Sequence, residues 1–223
     1  MTKRAPSDRA EAHRPTVNHL ESSRTWGPRR TALTRAAFVA APLCMLAYGA
    51  IRLSAPDHEP DLAWTSGHLF LMTGVLLFGA VFLGLRRLVE PATTAGRTSA
   101  NVATGLGLAG TLAVTAQAVI DLVVGFRSAD RPEMNRLFEQ VQSHPGVMPL
   151  VYTVVPMFLY LGLIWIVVQL TVQRRIAAWR PVAVVLGTAV MVASLDLIPL
   201  GAVLFCAALS PLARDLPAAR RPA

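Results

Sequence analysis

The sequence is poor in charge, in lysine and in cysteine, and each shortage excludes something. Charged residues make up 15% of the 223, where a soluble domain usually carries about 25%. Hydrophobic residues make up 53%, and the mean hydropathy is +0.47. Once the apolar runs are assigned, too little sequence remains for a separate soluble domain. Lys3 is the single lysine beside twenty arginines; with abundant alanine, this bias points to a GC-rich bacterial genome through codon usage. The two cysteines, Cys44 and Cys206, lie inside apolar runs and read as small buried residues. They make no disulfide framework, although the sequence leaves a bridge between them open.

Several motifs are also missing. There is no H-E-x-x-H, so zinc-hydrolase spacing is absent, and no G-x-x-x-x-G-K-[ST] to cradle phosphates. A bis-histidine haem needs two facing histidines within the membrane, and His68 alone qualifies. His58 and His144 fall in loops without close ligand spacing to His68. No metal and no cofactor is expected, and no catalytic residue is assigned.

What the chain does have is a series of membrane-length apolar runs. Four lie at about 33–53, 63–85, 98–126 and 147–172, and a fifth covers about 182–213. A crossing needs about 20 mostly apolar residues at 1.5 Å of rise each. The expected fold class is an all-α, polytopic transmembrane helix bundle over 33–213. A basic tail over 1–32 is too polar to bury a core and is expected to be disordered. A second short tail covers 214–223. Arg29-Arg30 before the first run resembles a twin-arginine signal, but Ala32 stands where a large apolar residue belongs, and the run is read as a retained span.

The net charge of +8 sits in tails and loops beside the apolar runs. It lacks the basic face and stacking aromatics of a nucleic-acid binder, so no nucleic-acid partner is expected. Instead it orients the chain, because cytoplasmic loops are enriched in Lys and Arg. Lys3, Arg4, Arg9, Arg14, Arg24, Arg29, Arg30 and Arg35 precede or open the first run. Arg86, Arg87, Arg97, Arg174, Arg175, Arg180, Arg214, Arg220 and Arg221 fall on the same side. The opposite loops hold Arg52, Arg127, Arg131 and Arg136 among acids such as Asp57, Glu59, Asp61, Asp130 and Glu133. This positive-inside pattern places the N-terminus in the cytoplasm of a bacterial plasma membrane.

The last run is too long for one crossing. As one helix it would reach roughly 48 Å against a core of about 30 Å. A hairpin of about 182–195 and 197–213, turning near Asp196-Leu197-Ile198-Pro199-Leu200-Gly201, returns Arg214 to the cytoplasm. Six spans with both termini cytoplasmic are preferred to five. In the outer loop before the fourth span, Met134, Leu137, Phe138 and Val141 share one helical face. Asp130, Pro132 and Glu133 form a helix start. An amphipathic helix near 131–142 is expected, either resting on the membrane or serving as a lid.

One polar cluster lies inside the spans. An intramembrane ionisable group costs roughly 2.5–3.5 kcal/mol on insertion scales, so it needs a partner or a role. His68 and Asp121 fall at equal depth below the outer boundary of consecutive antiparallel spans, which makes a pair between them plausible. Gly107, Gly110, Thr111, Val114, Gln117, Ala118, Asp121 and Gly125 share a stripe of small and polar residues suited to helix contact. Tyr152, Thr153, Pro156 and Tyr160 share another, and Tyr48 reaches the same level. Trp64 and Trp179 are placed as interfacial anchors. The candidate ligand-binding residues are His68, Gln117, Asp121 and Tyr152.

Tyr48-Gly49 before an acidic loop, Gly67-His68, Asp121 and the 195–201 turn together resemble small uncharacterised six-span membrane proteins of high-GC Gram-positive bacteria. The resemblance implies the membrane class and no activity. Three functions remain open. The first is a non-enzymatic structural or accessory protein embedded in the lipid bilayer with a membrane-protein partner. The second is a small transporter or ligand-binding protein with an outward-facing polar pocket. The third is a membrane enzyme acting on a lipid or isoprenoid.

Overall fold

Where no water can satisfy the backbone, an apolar run closes its hydrogen bonds internally and becomes a helix. The computed structural model describes residues 28–216, and among these the secondary structure is helical without strands. The basic tail expected over 1–32 lies outside the described residues up to residue 27, as does the second tail from residue 217. The helices are α1 (Pro28–Ser54), α2 (Leu62–Leu88), α3 (Thr94–Arg127), α4 (Arg131–Gln142), α5 (Val154–Val172), α6 (Trp179–Ala193) and α7 (Ile198–Leu209). A π-helical turn, Met148–Thr153, leads into α5, and short 3-10 turns precede and follow α7.

Five segments are long and apolar enough to cross a membrane: Thr31–Ser54, Leu62–Leu88, Thr94–Arg127, Met148–Val172 and Leu195–Ala213. Trp179–Ala193 is apolar but shorter. Large side chains such as Leu112, Leu161 and Leu186 stand exposed around the bundle, a belt that suits lipid and would be a liability in water. The chain is thus compatible with an integral, multi-pass membrane protein.

Around the bundle the helices run in the order α5, α3, α2, α1, α7, α6. The tightest seam joins α3 and α5. A Cβ on Gly162 would stand 2.5 Å from Gly107 N and 2.6 Å from Ala103 O, and one on Gly110 would overlap the Leu159 backbone. Small residues let these two backbones touch, which is the usual means of helix association in lipid. By contrast, α5 packs only narrowly on α6 and makes no substantial contact with α1 or α7.

The two ends of the bundle are tied separately. At one end Arg35 donates to Leu216 O at 2.6 Å, Arg86 to Asn101 at 2.7 Å, and Arg175 pairs with Glu90. At the other, Arg52 Nε meets Asp196 Oδ1 at 3.2 Å. The last apolar run does reverse direction, as a hairpin requires: Gly187 packs against Phe205 and Gly201, and Gly201 against Met191. The turn is earlier than expected, at Ser194–Leu197, where the Ser194 hydroxyl accepts from Asp196 N at 3.2 Å. Pro199 and Gly201 lie inside α7 instead. Proline is tolerated there because a first-turn N–H has no intrahelical partner to lose.

The expected outer helix is α4. Asp130 caps it by accepting from Glu133 N at 2.8 Å, and Glu133 in turn accepts from Ala129 N at 2.9 Å. Of its apolar face, Met134 is buried.

Candidate functional site

The polar cluster is built at the end of the bundle that carries α4. Asp61 caps α2 by accepting from Trp64 N at 2.9 Å, which sets the first turn of that helix. One turn further, His68 projects toward α3, and its Nε2 lies 3.6 Å from Asp121 Oδ2. Both residues are about 6% exposed. The expected pair is therefore in place, at ion-pair distance for a protonated ring and too long for a hydrogen bond.

The other ring nitrogen, Nδ1, lies 2.8 Å from the Trp64 carbonyl one turn back. A carbonyl only accepts, so Nδ1 is the nitrogen that carries hydrogen in this arrangement. The Nε2 edge is then the face left to exchange a proton with Asp121.

Trp64, expected as an interfacial anchor, also packs into the cluster. Its indole N–H donates to the Asp121 backbone carbonyl at 3.0 Å, and its ring lies over His68 with centroids 4.1 Å apart. Gly125, one turn beyond Asp121, makes this approach feasible, since a Cβ there would stand 2.6 Å from the indole. The signal was in the sequence as Trp64 four residues before His68 and Gly125 four after Asp121. Tyr48 stands edge-on to the imidazole, with centroids 5.5 Å apart. Trp179 is half exposed with Arg180 stacked beside it.

Above the cluster lies α4. Its Phe138 ring sits 6.1 Å from Trp64. Arg131 fastens the helix to the α1–α2 loop, donating to Asp57 O at 2.6 Å and His58 O at 2.8 Å, while its own N–H reaches Glu59 at 3.1 Å. A recess of about 20 Å³ remains between loop and helices, reaching from Arg52 and His58 down to His68. That volume accommodates about one water.

A second and larger space opens deeper in the bundle. A cavity of about 270 Å³ is bounded by every helix except α4, with Phe78 and Leu159 among its apolar walls. Polar groups are few: Tyr48, Gln117, Tyr152 and Tyr160. Tyr152 belongs to the π-helical turn, a widened turn of a kind often found at functional sites. Pro156 lacks an N–H for the Tyr152 carbonyl, which accounts for the irregular turn at this place. The Tyr152 hydroxyl is buried, with the Asp121 carboxyl and the Gln142 side chain as its polar neighbours.

Of the four candidate residues, Gln117 and Tyr152 line the cavity and His68 lines the recess at the α4 end, while Asp121 lies against His68 with the Tyr152 phenol near it and Tyr48 is a wall of both spaces. Thr153 leaves its expected stripe, exposed and bonded to Met148 O at 3.0 Å. The small-residue stripe of α3 is buried, with Val114 and Gln117 partly open to the cavity. Cys44 and Cys206 are free thiols. Among the described residues no group of three His, Cys, Asp or Glu side chains is placed to hold a metal.

Chemically, the cluster can pass one proton between imidazole and carboxylate, and the cavity can hold an apolar molecule by a hydrogen-bonding end. Comparison with protein-family models, curated proteins and solved structures finds no match to this chain.

Proposed function

We propose that this chain is a six-crossing protein of a bacterial plasma membrane, with both termini cytoplasmic, that binds a small molecule between its helices. The topology is supported by the α6–α7 hairpin and by Asp196, which meets Arg52 at the α4 end of the bundle. The arginines of the loops at 86–97 and 173–180 gather at the other end, as cytoplasmic residues do.

The observation that carries the binding reading is the cavity itself, about 270 Å³ of space between the helices with Gln117 and three phenols set among apolar walls. Small-molecule sites are mostly apolar spaces of this kind with a few placed polar groups. A molecule with one polar end can pair with Gln117 and rest its apolar part on the walls. The His68–Asp121 pair then lies behind the cavity as a proton-holding support. No transport cycle or turnover is required by this reading.

Native mass spectrometry of the detergent-solubilised protein tests it, with wild type beside Gln117→Leu and Asp121→Asn. A discrete co-purified mass that is lost from folded Gln117→Leu supports binding. The same adducts in all three proteins, or none, would leave the cluster as a tie between helices. That second reading, a structural or accessory protein with a membrane partner, is favoured by the contacts of Trp64 and His68, which join α2 to α3 whether or not a ligand is present.

A further inference from the structure

We infer that the molecule held in the cavity is a membrane-dissolved amphiphile, a long apolar chain with a single oxygen-bearing head, and that it enters sideways from the lipid between α5 and α6. The inference rests on the binding reading above and names its ligand class and route.

The recess over His68 at the α4 end holds about 20 Å³, too little for such a molecule, and α4 is fastened across it by Arg131. The cavity is more open elsewhere. Met157 on α5, Val192 at the end of α6 and Leu195 after it line the cavity while being 37%, 57% and 55% exposed. They form the rim of an opening in the outer belt, at the seam where α5 packs narrowly on α6 and not on α7.

The lining sets the chemistry. It holds no charged side chain, and its polar groups are three phenols and one carboxamide. A sugar, amino acid or ion would leave most of its hydrogen bonds unmade here, at a cost that an apolar chain does not incur. A hydroxyl or carbonyl head can pair with the Gln117 carboxamide, which suffices for one oxygen. The volume of about 270 Å³ falls just below the usual range of ligand pockets, about 300–1,000 Å³. The cavity therefore takes the head and the first part of the chain, and the remainder passes the rim into the bilayer.

Geranylgeraniol, a prenyl alcohol, is a suitable probe. The full chain in phosphatidylcholine nanodiscs is loaded with it and read by native mass spectrometry. A Gln117→Leu, Tyr152→Phe double variant removes the head contacts, Val192→Trp obstructs the rim, and Leu112→Trp on the exposed face of α3 serves as control. Melting temperatures verify that each variant is folded, and Met157→Trp replaces Val192→Trp if that protein does not fold. The expected result is a one-to-one adduct in wild type and control, weakened about tenfold or more in the double and rim variants. An adduct of equal strength in all proteins marks annular lipid and overturns the proposal. A co-purified water-soluble mass that depends on Gln117, without a prenyl alcohol adduct, overturns it while leaving the binding reading standing. No specific adduct of either kind overturns both.

Discussion

His68 Nε2 stands 3.6 Å from Asp121 Oδ2 while the Trp64 carbonyl holds the other nitrogen of the same ring at 2.8 Å. The imidazole is thereby fixed in orientation, with one face committed to the backbone and the other to α3. Trp64 adds a third constraint, because its indole lies over the ring and bonds to Asp121 O. Two helices are joined by a small polar network in which each member positions another.

Residues that act as one network do not lose stability additively. His68→Ala and Asp121→Ala are each expected to lower the melting temperature in detergent. The double variant should show a coupling energy of about 0.5–3 kcal/mol. Simple addition of the two losses would show that the pair, though close, is energetically independent.

Gly125 is expected to tolerate no side chain. With a Cβ there only 2.6 Å from the indole, Gly125→Ala must displace Trp64 or shift α3, costing about 1–3 kcal/mol as overpacking does. Indole displacement toward solvent should red-shift Trp64 emission, recorded in a background with the other three tryptophans replaced by phenylalanine. An unchanged spectrum and melting temperature would refute the packing described for this corner.

Arg131→Gln should loosen α4 locally without unfolding the bundle. The substitution removes both guanidinium bonds to the carbonyls of Asp57 and His58, and charged hydrogen bonds contribute about 1.5–3 kcal/mol. Hydrogen exchange should quicken at residues 55–61 and along α4 while α3 and α5 keep their protection. Uniform acceleration across the chain would instead assign Arg131 a global role.

At the α3–α5 seam, Gly162→Leu should be severe. Its side chain would be driven into the Gly107 backbone, forcing the helices apart, and a loss of well over 2 kcal/mol is expected from overpacking and lost contact. Gly105→Leu is the control, since a Cβ there meets nothing within 4 Å. Comparable melting curves for the two variants would contradict the seam.

The position of Asp196 tests the hairpin and with it the six-span topology. In a Cys44→Ser, Cys206→Ser background, Asp196→Cys should react with a membrane-impermeant maleimide on intact cells. Labelling that needs permeabilised cells would place the turn inside and return the chain to five crossings.

Much of the fold follows from composition and period. The four long spans end within a few residues of their expected bounds, because a backbone in lipid has no choice but to close its hydrogen bonds within the run. The α4 start was legible in Asp130, Pro132 and Glu133 because capping is local chemistry, complete within one turn. Depth counting from the span ends likewise brought His68 and Asp121 together, since helical rise converts residue number into height.

Other features needed the tertiary structure. Sequence put the hairpin turn at 196–201, but whether Pro199 breaks a helix or opens one depends on what precedes it, and Ser194 made the break first. Trp64 was legible as an amphipathic ring at a boundary. Its place over His68 was decided by the missing side chain of Gly125 on another helix. Gln117 and Tyr152 were both foreseen as polar groups on inward stripes. That both line a cavity, with the Tyr152 phenol reaching back toward Asp121, was set by the rotation of α3 and α5 about their shared glycine seam. Sequence alone determined that this chain is helical, apolar and layered by depth, because hydrogen bonding and hydration act on each segment singly. Only the tertiary structure decided which side chains meet at a given depth and where space is left between them, because packing depends on the relative rotation of helices that no single segment encodes.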